Sequence, residues 1–156
     1  MEREDFTLET RYVETDSGGE TQPLPTLRLR YDGPQAELKS ALEGADGSIL
    51  QATDIDVSVR LQGEIDERNP DGVVAVSDRL TGDFVCEFNA QGREVFEFLA
   101  AAKRRAESVE GTPKYRIQLC AGETPVQTYE TDTFLVYTSD GTLRESESLI
   151  PAGVEL

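Results

Sequence analysis

The chain of 156 residues is 37% apolar and 29% charged, and its 31 acidic and 15 basic residues give a net charge of −16. This length and composition suit one folded domain over residues 1–156 and exclude a disordered chain. Because the sequence contains no histidine, it lacks the commonest near-neutral proton-transfer group and the central residue of most hydrolytic and zinc sites.

The first part of the chain predicts three strands and one short helix. Apolar and polar residues alternate, as in half-buried strands, along three segments at 6–12, 26–31 and 55–61. The first two segments are expected to pair as a wide hairpin. Pro34 stands where a first helical residue would, and Gly44 stands where a helix ends. These two residues predict a short helix over about 34–43.

The rest of the chain predicts five strands and one long helix. The strands are expected at 73–76, 84–88, 115–119, 126–137 and 143–150. Within the second of these, Phe84, Cys86 and Phe88 are expected to point into the core. Asn89 is the predicted N-cap of a helix over about 90–106. Its apolar residues recur at helical spacing, at Val95, Phe98, Leu99, Ala102 and Ala106.

These elements predict an α+β fold. About eight strands are joined mostly by turns that are too short for parallel crossovers, which favours a mainly antiparallel sheet. The long helix is then expected to pack against one face of that sheet. The alternative architecture is a two-layer β-sandwich with the helix at its edge.

The acidic surplus is interpreted as adaptation to a very salty cytoplasm. Twelve of the basic residues are arginine and three are lysine, and one methionine is present. Molar salt shortens the screening length to about 3 Å and removes most of the self-repulsion of such a chain. Mimicry of nucleic acid, or binding of a basic partner, remains an alternative explanation. Direct nucleic-acid binding is disfavoured because no basic stripe is present.

The cysteines and the charge pattern bear on location and on binding. Cys86 and Cys120 lie far apart in predicted strands, so they are interpreted as buried free thiols. The sequence shows neither a basic, apolar leader nor an apolar run of about 18 residues, so the predicted location is the cytoplasm, with no membrane. Lys103, Arg104 and Arg105 form the one basic cluster, and they are interpreted as partners of the helix dipole.

The best-defined candidate metal site is a loop whose spacing overlaps the EF-hand calcium pattern. Its candidate ligands and turn residue are Glu67, Asn69, Asp71, Gly72 and Asp78. The loop departs from the pattern because Glu67 replaces an aspartate, Pro70 lies inside it, and Asp78 replaces the closing glutamate. An ordinary Asp-Gly turn is therefore the favoured interpretation. Asp54 and Asp56 are likewise not interpreted as a metal site.

Two arginines are candidate contacts for an anionic ligand. Arg28 and Arg30 alternate with leucines on one predicted strand, and their favoured interpretation is cross-strand pairing with acids on the solvent face. Carboxylate pairs can support acid–base chemistry, but 31 acids single out no pair. No phosphate-cradling glycine loop is present. The sequence therefore predicts no catalytic, cofactor-binding or metal-binding residues and no cofactor.

Several segments together resemble a family of small, acidic, uncharacterised proteins from halophilic archaea. The resemblance is carried by Phe6-Thr7-Leu8 and by residues 56–63 (DVSVRLQG), 72–76, 81–89 and 134–156. It covers nearly the whole chain. It implies a halophilic host and a single-domain extent, and it implies no activity or functional residue.

The sequence supports three hypotheses about function. The first is a non-enzymatic cytosolic module that acts through protein contacts, as a subunit or regulator of an assembly; its interface should be an apolar patch rimmed by charge. The second is a small-ligand binder or an unusual enzyme that uses carboxylates and arginine, which requires a deep pocket with convergent polar groups. The third is an acidic mimic of nucleic acid, which requires carboxylates in line along one face. The sequence does not determine the oligomeric state.

Overall fold

The computed structural model describes residues 2–12, 24–62, 71–108 and 113–150. Its elements follow the chain in the order β1 (Phe6–Arg11), β2 (Thr26–Tyr31), α1 (Gln35–Ala41), β3 (Ile55–Leu61), β4 (Asp71–Asp78), β5 (Phe84–Gln91), α2 (Gly92–Ser108), β6 (Tyr115–Ala121), β7 (Thr124–Thr131) and β8 (Leu135–Tyr137). Short 3₁₀ turns precede β1 and β3, at Arg3–Asp5 and Ala52–Asp54. Neither α1 nor α2 has the length and apolar composition needed to cross a bilayer.

The strands form two four-stranded mixed sheets. The first sheet has the order β1-β2-β6-β7, and the second has the order β5-β4-β3-β8. Neighbouring strands are antiparallel except for β2 with β6 and β3 with β8, which are parallel. The predicted α+β class, the number of strands, the two helices and the opening antiparallel pair are confirmed.

The parallel pairs were not predicted, because only the connections between consecutive strands were considered. The chain leaves the first sheet after β2, builds β3, β4 and β5 of the second sheet, and returns through α2 to β6. A parallel pair needs a long crossover, and this excursion supplies it for β2 and β6. The result is two sheets, as in the alternative architecture.

Both sheets and both helices contribute to one hydrophobic core. In the first sheet, the core residues Leu27 and Leu29 of β2 lie beside Ile117 and Leu119 of β6. In the second sheet, alternate residues of β3 and β4 face the same core, at Val57, Val59, Val74 and Val76. Helix α2 adds side chains from one face, at Val95, Phe98, Leu99 and Ala102. Core-facing residues recur every two positions in the strands and about every 3.6 positions in α2, and these two periods explain which side chains form the core.

The long helix begins and ends later than its sequence pattern predicted. Asn89 is not an N-cap; it lies in β5 opposite Val73, because the strand alternation of Phe88 and Ala90 continues past it. Helix α2 therefore starts at Gly92 and ends at Ser108. The exposed side chain of Ala106 does not face the core as predicted.

The last two predicted strands were wrong: the first is divided between the two sheets, and the second is not a strand. Instead of one strand over 126–137, β7 pairs with β6 in the first sheet and β8 pairs with β3 in the second. Residues 143–150 form no strand. They turn back and make two isolated bridges, Tyr137 with Leu143 and Phe134 with Leu149. The hydroxyl of Ser148 accepts the backbone N–H of Val136, so this segment covers β8.

Candidate functional site

The turn between β4 and β5 is held by hydrogen bonds to one aspartate. The side-chain Oδ1 of Asp78 accepts the backbone N–H groups of Leu80 (2.9 Å) and Thr81 (3.4 Å). The backbone carbonyl of Asp78 accepts the N–H of Gly82, which adopts a φ of +79°. The backbone carbonyl of Asp83 accepts the backbone N–H of Asp78 at 2.8 Å, which closes the turn. Residues 79–83 therefore have a defined conformation.

Two large apolar side chains project into solvent at this turn. Leu80 is 89% exposed and Phe84 is 65% exposed. Tyr12 is the other large apolar residue that is exposed in the described part of the chain. Large apolar side chains that are exposed at one turn are typical of a contact surface for another molecule.

Phe84 was predicted to point into the core, and that prediction was wrong. The register of β4 and β5 shifts between Val76, which faces Cys86, and Ser77, which faces Phe84. Val85 is the extra residue of this β-bulge, and an extra residue reverses the side-chain alternation. Cys86 therefore points inward, as predicted, and Phe84 points outward.

A hollow of about 490 Å³ lies beside the turn. It is lined by Gly44, Ala45, Asp46, Leu50, Thr53, Asp54, Asp78, Arg79 and Leu80. A second hollow of about 250 Å³ shares Gly44, Ala45, Leu50 and Asp78 with it and reaches Phe84. The two hollows therefore adjoin, with Leu80 in the lining of the first and Phe84 in the lining of the second, and we call them together the hairpin groove.

The wall opposite the turn is the segment that connects α1 to β3. Leu50 donates its backbone N–H to Leu42 at 2.9 Å, and both side chains are buried. Asp46 accepts the backbone N–H of Ser48 through Oδ1 at 3.0 Å. Asp54 accepts the backbone N–H of Gln51 through Oδ2 at 2.8 Å. Each aspartate thus fixes its own turn of the wall.

Arg79 joins the two walls of the hairpin groove. Its backbone N–H donates to the carbonyl of Asp54 at 2.8 Å. Its guanidinium donates to Oδ1 of Asp56 at 2.9 Å and to the carbonyl of Ile55 at 3.1 Å. The groove is therefore already formed in the free protein.

Five carboxylates line the hairpin groove. Glu43, Asp46, Asp54, Asp78 and Asp83 line the two hollows, and within the described ranges none of them forms a salt bridge. The one cation in this lining, Arg79, is bonded to Asp56 outside it. The depression thus combines apolar side chains with a surplus of negative charge.

The profile of a family of unknown function, DUF5793, matches residues 1–156 of this sequence. The chain belongs to this family. No significant match was found among the curated proteins or among the solved structures. No activity or ligand therefore comes from these comparisons.

The arginines that were candidate anion contacts are engaged by carboxylates of the same face. Arg30 contacts Glu9 at 2.9 Å and Glu123 at 2.8 Å, and Arg28 contacts Glu123 at 3.4 Å. The bond from Arg30 and the nearby positive charges lower the pKa of Glu123. This confirms the predicted pairing of Arg28 and Arg30 with acids.

The outer face of the first sheet has alternating charges. Glu9 opposes Arg28 across β1 and β2, and Arg116 opposes Glu130 across β6 and β7, where their side chains meet at 2.6 Å. Cations therefore interrupt the carboxylates on this face. A mimic of nucleic acid requires an unbroken row of negative charge, which this face does not offer.

The residues of the candidate calcium-type loop, for which an ordinary turn was favoured, are not brought together where they are described. Glu67 and Asn69 lie outside the described residues. Asp71 and Asp78 are the two ends of β4, and seven residue steps at about 3.3 Å separate them by roughly 23 Å. Among the residues the structure covers, no group of three or more metal-ligating side chains was found.

The basic cluster on α2 contacts the end of the described chain. Lys103 donates from Nζ to the carbonyl of Ser146 at 2.6 Å, which fixes the 143–150 segment to the helix. Arg105 lies in the last turn, where the helix dipole favours a cation, and its side chain is buried. These side chains therefore do not form an exposed binding patch.

Thiol reagents are expected to leave both cysteines unmodified in the folded protein. Cys86 and Cys120 are free and buried. Burial, with a smaller contribution from the charge of Glu87, raises the pKa of Cys86 to about 12, so the reactive thiolate is scarce. Absorbance with a chromogenic disulfide reagent in high salt should report no reaction before denaturant is added and two thiols afterwards. Rapid reaction of either cysteine in the native protein would contradict this burial.

Proposed function

We propose that this protein is a non-enzymatic interaction module, a subunit or regulator of an assembly, that binds a partner protein in the hairpin groove. The observation that carries the proposal is the exposure of Leu80 and Phe84 beside the groove, at 89% and 65%. Burying such a side chain contributes about 1.5–3 kcal/mol, so covering both of them would be a large part of a docking energy.

The hydrogen bonds that fix the walls of the groove favour binding. Asp78 holds the turn, Asp46 and Asp54 hold the opposite wall, and Arg79 joins the two. A surface that is already in its bound conformation loses little entropy when a partner arrives. This supports a docking role more than a mobile loop with the same residues would.

The setting that best fits the acidity is the cytoplasm of a salt-adapted cell, as in halophilic archaea. The surplus of 16 negative charges repels itself in dilute buffer, and molar salt screens that repulsion within about 3 Å. Long-range charge attraction is screened at this salt, so partner binding then depends on groups in direct contact, and salt strengthens or leaves intact the apolar part of that contact.

Affinity capture at about 1 M KCl, where the screening length is about 3 Å, tests the docking role. The wild-type protein, the double variant Leu80→Ser/Phe84→Ser and the control Tyr12→Ser serve as baits in lysate of the source cell. We expect the same partner to be retained by wild type and by Tyr12→Ser and to be lost from the double variant, as measured by quantitative mass spectrometry. Tyr12 is an exposed aromatic residue outside the groove, so it controls for general stickiness.

Two results would contradict the docking role. One is that the double variant retains every partner that wild type retains. The other is that wild type retains none at native salt. Circular dichroism of each bait confirms that the substitutions at exposed positions leave the fold intact.

A further inference from the structure

We infer that the partner presents a basic segment, in which an apolar side chain is flanked by lysine or arginine, to the hairpin groove. This inference rests on the proposed function and specifies the chemistry of the partner. Three features support it: the difference in salt bridging between the groove carboxylates and other acids, the hydrogen bonds that position these carboxylates, and the exposed apolar side chains beside them.

Acidic side chains form salt bridges in one part of the described surface and none in another. On the outer face of the first sheet, Glu9, Glu123 and Glu130 each contact an arginine at 3.0 Å or less. The five carboxylates of the groove lining form no salt bridge with any residue of the described ranges. The groove carboxylates are therefore among the acids whose charge no described cation offsets, and this charge remains available to a partner.

The groove carboxylates are positioned through one oxygen each. Oδ1 of Asp46, Oδ2 of Asp54 and Oδ1 of Asp78 accept backbone N–H groups of their own turns. For each of these residues, the other carboxylate oxygen accepts no hydrogen bond from a described side chain or backbone group. Fixed carboxylates with an unused oxygen suit a lysine or arginine, which needs acceptors that are already in place.

The apolar contact and the charges act together. A partner side chain packed against Leu80 and Phe84 would exclude water from the groove and lower its effective dielectric constant, which strengthens adjacent ion pairs. A neutral or acidic partner would instead desolvate these carboxylates without compensation, which is unfavourable. The geometry therefore selects for positive charge next to the apolar anchor.

Selection from a displayed library of random peptides tests this inference. Peptides of about ten residues span roughly 33 Å when extended, which is long enough to cross the groove. Selection on the wild-type protein, with counterselection on Leu80→Ser/Phe84→Ser, retains the peptides that need the apolar side chains. We expect the retained peptides to be enriched in lysine and arginine next to leucine, phenylalanine or another apolar residue.

Charge is then tested on the most enriched peptide, synthesised with a fluorescent label. The groove variant is Asp46→Asn/Asp54→Asn/Asp83→Asn, in which asparagine keeps the acceptor oxygen that the turns at positions 46 and 54 need. The control, Glu4→Gln/Glu87→Gln/Glu107→Gln, removes the same charge outside the groove lining. Fluorescence anisotropy should report binding about tenfold weaker for the groove variant and within about twofold of wild type for the control.

The outcomes separate the two proposals. If the enriched peptides need Leu80 and Phe84 but carry no positive charge, or if the two charge variants bind equally, the basic partner is excluded and the docking role survives. If no peptide distinguishes wild type from the apolar double variant, both proposals fail. Should the triple groove variant lose its circular dichroism signal, Asp83→Asn alone repeats the comparison, because no described backbone group depends on that carboxylate.

Discussion

Phe98→Ala is expected to lower the free energy of unfolding by about 3–5 kcal/mol. Phe98 is fully buried on α2. Its ring meets Tyr115 edge-on, with centroids 5.4 Å apart, and lies 6.1 Å from Phe134. Tyr115 begins β6 of the first sheet and Phe134 leads into β8 of the second, so this ring joins the helix to both sheets. Its removal leaves a cavity that three elements would have to fill.

The matched control is the same substitution at an exposed phenylalanine. Phe84→Ala removes the same atoms from a side chain that is 65% exposed, and it is expected to change the free energy of unfolding by less than about 0.5 kcal/mol. Urea denaturation at about 1 M KCl, followed by circular dichroism, measures both variants. Equal losses at the two positions would mean that Phe84 is part of the core and that the hairpin groove does not exist as described.

The elements that sequence patterns predicted well are those in which one face is buried. Alternation over Ile55–Leu61 places Val57 and Val59 inward and Asp56 and Ser58 outward, so a period of two is visible in the sequence. The helical spacing of Val95, Phe98, Leu99 and Ala102 is equally visible. The ends of elements were less well predicted. Asn89 was predicted to cap the helix, but asparagine is also compatible with a strand, and the alternation of β5 continues through it.

The division into two sheets depends on pairings between distant segments. Alternation indicates that a residue faces a core, but it does not indicate which strand lies alongside. Thus residues 126–137 were interpreted as one long strand, although its two parts pair with β6 and with β3. The parallel partner of β2 lies more than eighty residues away in the sequence, so local turn lengths could not reveal it.

The candidate site was not predicted for a related reason. The pairing of Arg28 and Arg30 with acids follows from the solvent-facing half of a strand pattern, and it was predicted. The exposure of Phe84 depends on a bulge opposite Ser77, which leaves no distinct mark in the sequence. The groove itself is formed where the segment after α1 meets the turn after β4. Its depth is a property of tertiary packing and not of either segment alone.

Raising KCl from about 0.01 M to about 1 M, which shortens the screening length from about 30 Å to about 3 Å, is expected to raise the free energy of unfolding by several kcal/mol. Screening also weakens attractive pairs such as Arg30–Glu123 and Arg116–Glu130. Those pairs are at least partly exposed, and such pairs contribute about 0–1 kcal/mol each. The folded chain concentrates a surplus of 16 negative charges in a small volume, so relief of repulsion outweighs the loss of these pairs.

Urea titrations across a KCl series measure this dependence, and two controls identify its cause. Sucrose, which is uncharged and excluded from protein surfaces, stabilises without screening and should not reproduce the steep rise at low concentration. The variant Glu4→Gln/Glu87→Gln/Glu107→Gln lowers the surplus charge by three, so its stability should depend less on KCl than that of wild type. A free energy of unfolding that is independent of KCl would remove salt adaptation as the explanation of the acidity. Recognition of a basic partner would then gain weight as an explanation of the carboxylates around Leu80 and Phe84, and the peptide selection measures it independently.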